Sequence, residues 1–176
     1  MLNNETDELP VVTVMIGISC SGKSTYANGQ CDAMENVVNL EEDAFYTAIC
    51  GWDKRDAEEQ LEKQKFDRIT SLVNGIMKKS LSAAVAAGFD VIWDTTMIKR
   101  TQLRKLIHTL DDTIGDGNYQ LRFVLSKTET PECQLAYQEK YRTTWEQTYH
   151  LHAEEHLINQ LVTFIQRHYR NQVYYQ

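Results

Sequence analysis

The feature that most constrains the fold of this chain is an apolar run that leads into a glycine-rich loop. The run VVTVMI, residues 11–16, is continuous and rich in β-branched side chains, which is typical of a strand covered on both faces. The loop GISCSGKST, residues 17–25, follows directly, and KSTYANGQCDAM, residues 23–34, can form a helix. A strand, a tight loop and a helix in this order are the setting in which such a loop binds phosphate. The segment therefore predicts a nucleotide-binding unit.

Every fixed position of the pattern G-x-x-x-x-G-K-[ST] is filled in this loop. Gly17 and Gly22 allow the backbone to turn sharply, so that successive N–H groups point at a polyphosphate. We expect Lys23 to reach the β- and γ-phosphates and the Ser24 hydroxyl to ligate Mg²⁺. The predicted nucleotide contacts come from the loop as a whole: Gly17, Ser19, Cys20, Ser21, Gly22, Lys23, Ser24 and Thr25.

Strand and helix patterns alternate along the rest of the chain. Three further strands are predicted at 36–40, 89–94 and 119–125, with helical stretches between them and at the end. This rhythm is typical of an α/β fold with a mainly parallel sheet, here of four to five strands flanked by helices. We predict a single domain over residues 1–176, with a flexible N-terminus at 1–10, a helical lid at about 134–147 and a C-terminal helix at 148–170.

Composition narrows the class of protein without identifying a function. The formal net charge of −7 counts against a protein that coats nucleic acid through basicity alone. The first ten residues lack the basic and apolar regions of a secretory signal, and no apolar run is long enough to span a membrane. The four cysteines are scattered without metal-binding spacing. We therefore expect reduced thiols, no membrane partner and a cytoplasmic location, which is the host cytoplasm if a phage encodes the chain.

Two carboxylates follow predicted strands, where an open α/β sheet places its ligands. Asp43 lies just beyond the second strand and could orient an acceptor hydroxyl and take its proton. Glu41 and Glu42 compete for that role, and all three could instead be the acidic first turn of a helix. Asp94 ends the apolar strand FDVIWD and could lie near Mg²⁺, or it could be an ordinary turn residue.

Two arginines are candidates for phosphate contacts. Arg142 lies in QLAYQEKYRTTWEQ, residues 134–147, where small kinases close a lid over the nucleotide. Arg100 belongs to a basic cluster with Lys99, Arg104 and Lys105 that could meet a nucleic-acid backbone. A solvated helix face is the competing interpretation in both places.

The order of these segments resembles the kinase domain of polynucleotide 5′-hydroxyl kinases and their wider phosphotransferase relatives. The loop GISCSGKST is similar to the phosphate loop of that family, and NLEEDAFYTAI resembles its second-strand segment, which puts Asp43 at the general-base position. VIWDTTM resembles the family's strand followed by D-T-N, which puts Asp94 and Thr95 near the substrate. TPECQLAYQEKYR resembles its lid, with Arg142 at the position of the phosphate-contacting arginine.

The resemblance implies a P-loop kinase fold and transfer of the γ-phosphate of ATP, with Mg²⁺, to a hydroxyl on nucleic acid. The acceptor would be the 5′-hydroxyl of a polynucleotide or, as in some phage relatives, a hydroxymethyl group on a modified DNA base such as 5-hydroxymethyluracil. We expect DNA rather than RNA.

Several residues depart from the family pattern. Tyr46 stands where end-specific polynucleotide kinases tend to have an arginine that grips the phosphate of the substrate, so we expect Tyr46 to contact the substrate. Thr96 replaces the usual asparagine, and Ser19 and Cys20 replace a common Pro-Gly pair. Tyr46 and the acidic net charge favour an alternative, a kinase acting on a nucleoside, sugar or similar small metabolite. A nucleotide-binding switch without transfer is the third hypothesis, disfavoured by Asp43 and Arg142.

Two further patterns are interpreted as structural. HAEEH, residues 152–156, matches the H-x-x-E-H pattern of inverted zinc proteases, but no third ligand is evident. Aromatic residues recur every four positions through the lid region, and most of them are expected to pack rather than to stack on bases: Tyr137, Tyr141, Trp145 and Tyr149.

Overall fold

The computed structural model describes residues 9–97, 99–126, 129–169 and 172–175. Within these ranges the chain forms an α/β fold in which helices flank a five-stranded parallel sheet. The strands are β1 Val11–Ile16, β2 Val37–Glu41, β3 Asp90–Asp94, β4 Gln120–Leu125 and β5 Val173–Tyr175. The helices are α1 Lys23–Ala33, α2 Glu42–Cys50, α3 Lys54–Gln60, α4 Lys63–Ala86, α5 Arg100–Ile114, α6 Thr130–Tyr141 and α7 His150–His168.

The strands lie in the order β2-β3-β1-β4-β5, with β1 at the centre. Val14 of β1 is level with Trp93 of β3 on one side and Phe123 of β4 on the other. Because all pairs are parallel, every strand ends at the same edge of the sheet. The segments that follow β1, β2 and β3 therefore meet at this edge, where an open α/β sheet binds its ligands.

The central strand supplies buried side chains to both faces of the sheet. Val12, Val14 and Ile16 belong to the larger apolar cluster, which α4, α5, α6 and α7 complete. Met15 belongs to the smaller cluster on the opposite face, with Ala27 of α1. Successive side chains of a strand point to opposite faces, so a strand covered on both sides needs a continuous apolar run. This is the pattern that the sequence of residues 11–16 shows.

The prediction of a mainly parallel sheet of four to five strands flanked by helices is confirmed. The helical region before β3 contains α3 and α4 as separate helices, because the chain is extended at Leu61. The sequence did not predict β5, which has three residues and leaves Tyr174 and Tyr175 exposed. Of the predicted flexible segment 1–10, residues 1–8 lie outside the described part of the chain. No helix among the described residues combines the length and apolar character needed to cross a bilayer.

Tyr46 of α2 lies in the core and not in a substrate site. Its side chain is fully buried and stacks on Phe66 of α4, with 6.0 Å between ring centroids. Its hydroxyl lies 2.6 Å from the Thr70 hydroxyl, which itself donates to the carbonyl of Phe66, so Tyr46 is the donor in this pair. The structure therefore does not support the substrate contact expected at Tyr46. The ring instead packs α2 against α4.

We expect Tyr46→Phe to lower the free energy of unfolding by about 1 kcal/mol, since it removes one buried hydrogen bond but keeps the ring. Tyr46→Ala should cost about 3–5 kcal/mol, because it also leaves a cavity. Chemical denaturation measures both values. An unchanged stability of Tyr46→Phe together with weakened acceptor binding would show that the hydroxyl serves the substrate.

Candidate functional site

The loop after β1 is shaped by two glycines that no other residue could replace without strain. A Cβ at Gly17 would collide with the Ser21 hydroxyl and would lie 2.9 Å from Cβ of Ser126. Gly22 has a φ of 85°, in the left-handed region, and serves as the N-cap of α1. The Ser126 hydroxyl, at the end of β4, donates to the carbonyl of Ser21 and ties the loop to the sheet. The backbone is thus held as a tight cradle at the N-terminus of α1.

Lys23 is the one lysine of the described chain that is buried, with 7% of its surface exposed. Its ammonium donates to the carbonyls of Gly17 and Ile18, at 3.1 Å and 2.7 Å, and so lies inside the cradle. Burial lowers the pKa of Lys23, and the nearby carboxylate of Asp94 opposes this effect. The charge is therefore placed where a polyphosphate would be bound.

Two carboxylates stand beside the loop at the ends of β2 and β3. Glu41 and Asp94 are partners in the parallel register, so the edge of the sheet brings them together. Burial raises the pKa of Asp94 above its usual range, while the Ser24 hydroxyl and Lys23 act in the opposite direction. Burial likewise raises the pKa of Glu41, again opposed by Ser24. Both carboxyl groups therefore flank the hydroxyl that the sequence assigns to Mg²⁺.

The oxygens at this position fit a magnesium ion. Oδ2 of Asp94 is buried and has no hydrogen-bond partner among the described residues, so an acceptor oxygen is left over beside Ser24. Mg²⁺ is usually held by one or two protein oxygens together with substrate phosphates and water. Within the described ranges no three His, Cys, Asp or Glu residues are grouped as a metal cluster. The fit therefore depends on Ser24, Asp94 and the phosphates of a bound nucleotide.

Asp43 faces the same cleft from the first turn of α2. Its Oδ1 accepts a hydrogen bond of 3.3 Å from the backbone N–H of Lys54, where α3 begins. Its Oδ2 lies 3.7 Å from the ammonium of Lys140 on α6, which is also 3.6 Å from Asp53. The side chain remains 39% exposed, so a ligand can reach it. Its orientation is fixed by two other elements and not by α2 alone.

One face of α6 closes the cleft, which has a volume of about 710 Å³ and also includes Asp94, Thr95 and the phosphate loop. The α6 residues in its wall form two adjacent pairs one turn apart, as one helix face requires: Ala136 with Tyr137, and Lys140 with Tyr141. The guanidinium of Arg55 lies over the rings of Tyr137 and Tyr141, at 5.0 Å and 4.3 Å. Its Nη1 is buried and has no hydrogen-bond partner in the described chain. Lys140 of α6 and Arg55 of α3 therefore each place a cation in the wall of the cleft.

Two predicted arginines are not brought into this cleft. Arg142 ends α6 with a φ of 51°, is exposed and does not line the cavity. Arg100 lies over the ring of Phe164 and donates to the carbonyl of Gln160 on α7 at 3.4 Å, so it packs between helices. Arg55 was missed because nothing in its own segment marks it. Lys140 could have been found, since it is one turn from Tyr137 on a predicted lid helix.

Glu154 of α7 reaches the phosphate loop from a distant part of the chain. Its Oε2 accepts a hydrogen bond of 3.0 Å from the backbone N–H of Ser19. The residue belongs to the HAEEH segment, which the sequence indicates to be a helix surface. Glu154 therefore connects α7 to the loop. Its carboxylate already accepts the hydrogen bond of one backbone N–H in the cradle.

Cys20 has an unusual backbone conformation within the loop. Its φ is 60°, in the left-handed region that favours glycine. Partial burial raises the pKa of its thiol, while Lys140 and Lys23 oppose this effect. Cys20 lines the cleft, so a bound nucleotide would cover it.

A family model described as AAA domain (AAA_33) matches residues 12–165 of the chain. No curated protein sequence matches it significantly.

Several solved structures share the fold. A chain from the Pnkp1/Rnl/Hen1 RNA repair complex is 21% identical, with a TM-score of 0.64 over 95% of this chain and 49% of that one. A chain from the PezAT chromosomal toxin–antitoxin system of Streptococcus pneumoniae is 18% identical, with a TM-score of 0.60 over 97% and 70%. A candidate kinase from Chloroflexus aurantiacus is 10% identical, with a TM-score of 0.58 over 76% and 68%. The present chain thus spans about half the length of the Pnkp1/Rnl/Hen1 chain.

We expect Asp94→Asn to raise the melting temperature at pH 7.5 and to weaken Mg²⁺-dependent nucleotide binding. The raised pKa means that the folded state binds the Asp94 proton more tightly than the unfolded state, whose pKa is about 3.9. The charged carboxylate therefore lowers stability once the pH exceeds its folded pKa, and this cost disappears below about pH 3.9. Calorimetry across pH should show the difference between variant and parent shrinking as the pH falls. A lower melting temperature at pH 7.5 would contradict this account.

We expect ATP to protect Cys20 from alkylation by iodoacetamide, as mass spectrometry of the labelled peptide would show. The raised pKa leaves little thiolate at neutral pH, so the label should enter faster at pH 9 than at pH 7. Cys31 lies outside the cleft and is the matched control, whose labelling ATP should not change. Equal labelling of Cys20 with and without ATP would place the nucleotide elsewhere.

Proposed function

The chain belongs to the AAA_33 family of AAA domains, and we propose that it is an ATP- and Mg²⁺-dependent phosphotransferase acting on a hydroxyl group of nucleic acid. The observation that carries this proposal is the position of Asp43, which faces the phosphate loop across one cleft and lies within 3.7 Å of Lys140. A loop that only binds a nucleotide needs no such carboxylate, whereas transfer to a hydroxyl needs a group that orients the hydroxyl and accepts its proton.

The phosphate loop holds the donor in this proposal. Backbone N–H groups of residues 17–25 and the N-terminus of α1 bind the β- and γ-phosphates, and Lys23 neutralises charge on them. Ser24 and Asp94 would hold Mg²⁺ when the nucleotide is bound. The ion would supply positive charge that offsets the negative charge of the phosphate oxygens.

Asp43 acts on the acceptor. Its carboxylate accepts a hydrogen bond from the hydroxyl and aligns the oxygen with the γ-phosphorus. A bond forms between that oxygen and the γ-phosphorus, the bond from phosphorus to the β–γ bridging oxygen breaks, and ADP leaves with that electron pair. The hydroxyl proton passes to Asp43.

Cations on the lid side stabilise charge on the transferred group. Lys140 and Arg55 line the cleft, and Arg55 keeps an unused donor there. The nearby Tyr141, Asp43 and Asp53 outweigh the effect of burial and raise the pKa of Lys140, which is therefore charged at neutral pH. We assign to Lys140 the role that the sequence assigned to Arg142.

Two observations support a nucleic-acid acceptor. The chain resembles polynucleotide 5′-hydroxyl kinases in four segments, and its fold is similar to that of a chain in an RNA repair complex. The 5′-hydroxyl of a polynucleotide and a hydroxymethyl group on a modified DNA base such as 5-hydroxymethyluracil are both in keeping with the site. The preference for DNA rests on the phage relatives, and RNA belongs in the same assay. A kinase of a small metabolite is the second candidate, favoured by a second cavity of about 390 Å³ that borders the cleft at Glu42 and Lys54.

We expect Lys23→Ala and Asp43→Ala each to lower turnover by about 10³-fold or more, and only Asp43→Ala to retain ATP binding. A radiolabel transfer assay with 5′-hydroxyl DNA and RNA, hydroxymethylated duplex DNA and nucleosides measures the first effect, and calorimetric titration measures the second. Normal transfer by Asp43→Ala would show that the base is another residue. Loss of ATP without labelling of any acceptor would indicate the nucleotide switch.

We expect Lys140→Ala to lower kcat by about 10²-fold, since it removes a cation from the cleft, and Arg142→Ala to change kcat by less than about threefold. The two residues lie on different faces of one helix end, so each is the matched control for the other. Steady-state kinetics with the same acceptor measures both. A larger loss for Arg142→Ala would show that the lid rotates on closure and brings Arg142 to the phosphates.

A further inference from the structure

A second cavity opens directly beside the proposed phosphoryl-transfer cleft. It has a volume of about 390 Å³ and lies against the end of β3 and residues of α4 and α5. Its wall shares Glu42, Lys54, Thr95 and Thr96 with the cleft, so the two spaces are neighbours. Glu42 and Lys54 form an ion pair of 2.7 Å at this boundary, next to the carboxylate of Asp43. The cavity is therefore on the acceptor side of the transferred phosphate.

The floor of this cavity is apolar and preformed. Met77, Met97 and Leu106 line it and are each no more than 5% exposed. The indole of Trp93 lies in the same wall and is half-buried. Aromatic and thioether side chains suit a flat or apolar group. Polar side chains of Thr70, Asn74 and Thr109 complete the wall and provide hydrogen-bonding groups.

The charge of the wall is opposite to that of the whole chain. Its ionisable residues are three lysines, Lys54, Lys78 and Lys105, and one glutamate, Glu42, which is a local excess of two positive charges. The chain as a whole carries a formal net charge of −7. Lys54 is already paired with Glu42, whereas no ion pair of the described residues includes Lys78 or Lys105. These two lysines are placed to bind an anion that enters the cavity.

We propose that this cavity binds the acceptor, and that the acceptor is a phosphate-bearing hydroxyl compound of nucleotide size. Its ring lies against Trp93 and the methionines, its phosphate is held by Lys78 and Lys105, and its hydroxyl is directed across the Glu42–Lys54 pair toward Asp43. A volume of about 390 Å³ is in the range of small-ligand sites, which is about 300–1,000 Å³. A free nucleotide and the terminal nucleotide of a strand share this chemistry. The inference rests on the proposed phosphotransferase function.

The first test compares acceptors that differ only in the phosphate. Phosphoryl transfer from ATP is measured to uridine 3′-monophosphate and to uridine. We expect kcat/KM to be at least about tenfold higher for the nucleotide than for its neutral counterpart, because a charge-assisted contact is lost with the phosphate. Equal values would overturn the proposal. A trinucleotide with a free 5′-hydroxyl, run beside the mononucleotide, shows whether a strand end or a free nucleotide is the better source.

The second test removes the cations. Lys78→Gln with Lys105→Gln should abolish the tenfold preference by raising KM for the phosphorylated acceptor. Lys79→Gln is the matched control, because Lys79 is an exposed neighbour that lines a different surface hollow. Retention of the full preference by the double variant would overturn the assignment of these lysines.

The third test distinguishes acceptor binding in the cavity from phosphoryl transfer. In a Trp52→Phe, Trp145→Phe background Trp93 is the remaining tryptophan, so its fluorescence reports on the cavity. Uridine 3′-monophosphate without ATP should quench or shift that fluorescence, and Lys78→Gln with Lys105→Gln should weaken the titration about tenfold. Binding without any phosphoryl transfer would support the cavity as a nucleotide site and overturn the kinase function. Phosphoryl transfer without any response of Trp93 would support the kinase function and overturn acceptor binding in the cavity.

Discussion

A buried ammonium group is the constraint around which this structure is arranged. Lys23 is 7% exposed, and moving a charge of this kind out of water is costly unless it is paired and hydrogen-bonded. Two backbone carbonyls of the phosphate loop and the carboxylate of Asp94 offset that cost. The offset is partial, because the pKa of Lys23 remains lowered. The fold thus holds a cation that a polyphosphate can satisfy better than the protein does.

The parallel register explains how the other groups reach this cation. β3 lies between β1 and β2, so Asp94 at its end is placed between the phosphate loop and Glu41. Asp43 comes two residues after Glu41, in the first turn of α2, and the N–H at the start of α3 fixes its carboxylate. Residues far apart in sequence therefore meet because their strands end at one edge, and no long-range loop is needed to deliver them.

The sequence was sufficient to predict where a residue lies when its position depends on local geometry. Gly17, Gly22 and Lys23 lie in a loop whose pattern determines its shape, and Asp94 ends a strand whose apolar character marks it as central. The sequence was insufficient to predict where a side chain points when this depends on which face of a helix packs against the core. Tyr46 is on the inner face of α2, and the phase of α6 turns Lys140 and not Arg142 toward the cleft. Neither phase is fixed until the helix packs against its neighbours, and β5 is too short to give a periodic signal.

The distribution of charge reconciles an acidic chain with sites for anions. Acidic residues outnumber basic ones by 25 to 18, but most ion pairs that they form are partly exposed, where water and salt screen them. Lys23, Lys140 and Arg55 instead share one partly enclosed cleft, where the effective dielectric constant is lower and their fields add. The lining of the cleft as a whole is not basic, since it holds six carboxylates against four cations, so any attraction for phosphate comes from these cations near the loop. The carboxylate of Glu154 on the Ser19 N–H works against that attraction at close range. A nucleotide bound at this end of the loop would compete with Glu154 of α7 for that backbone N–H.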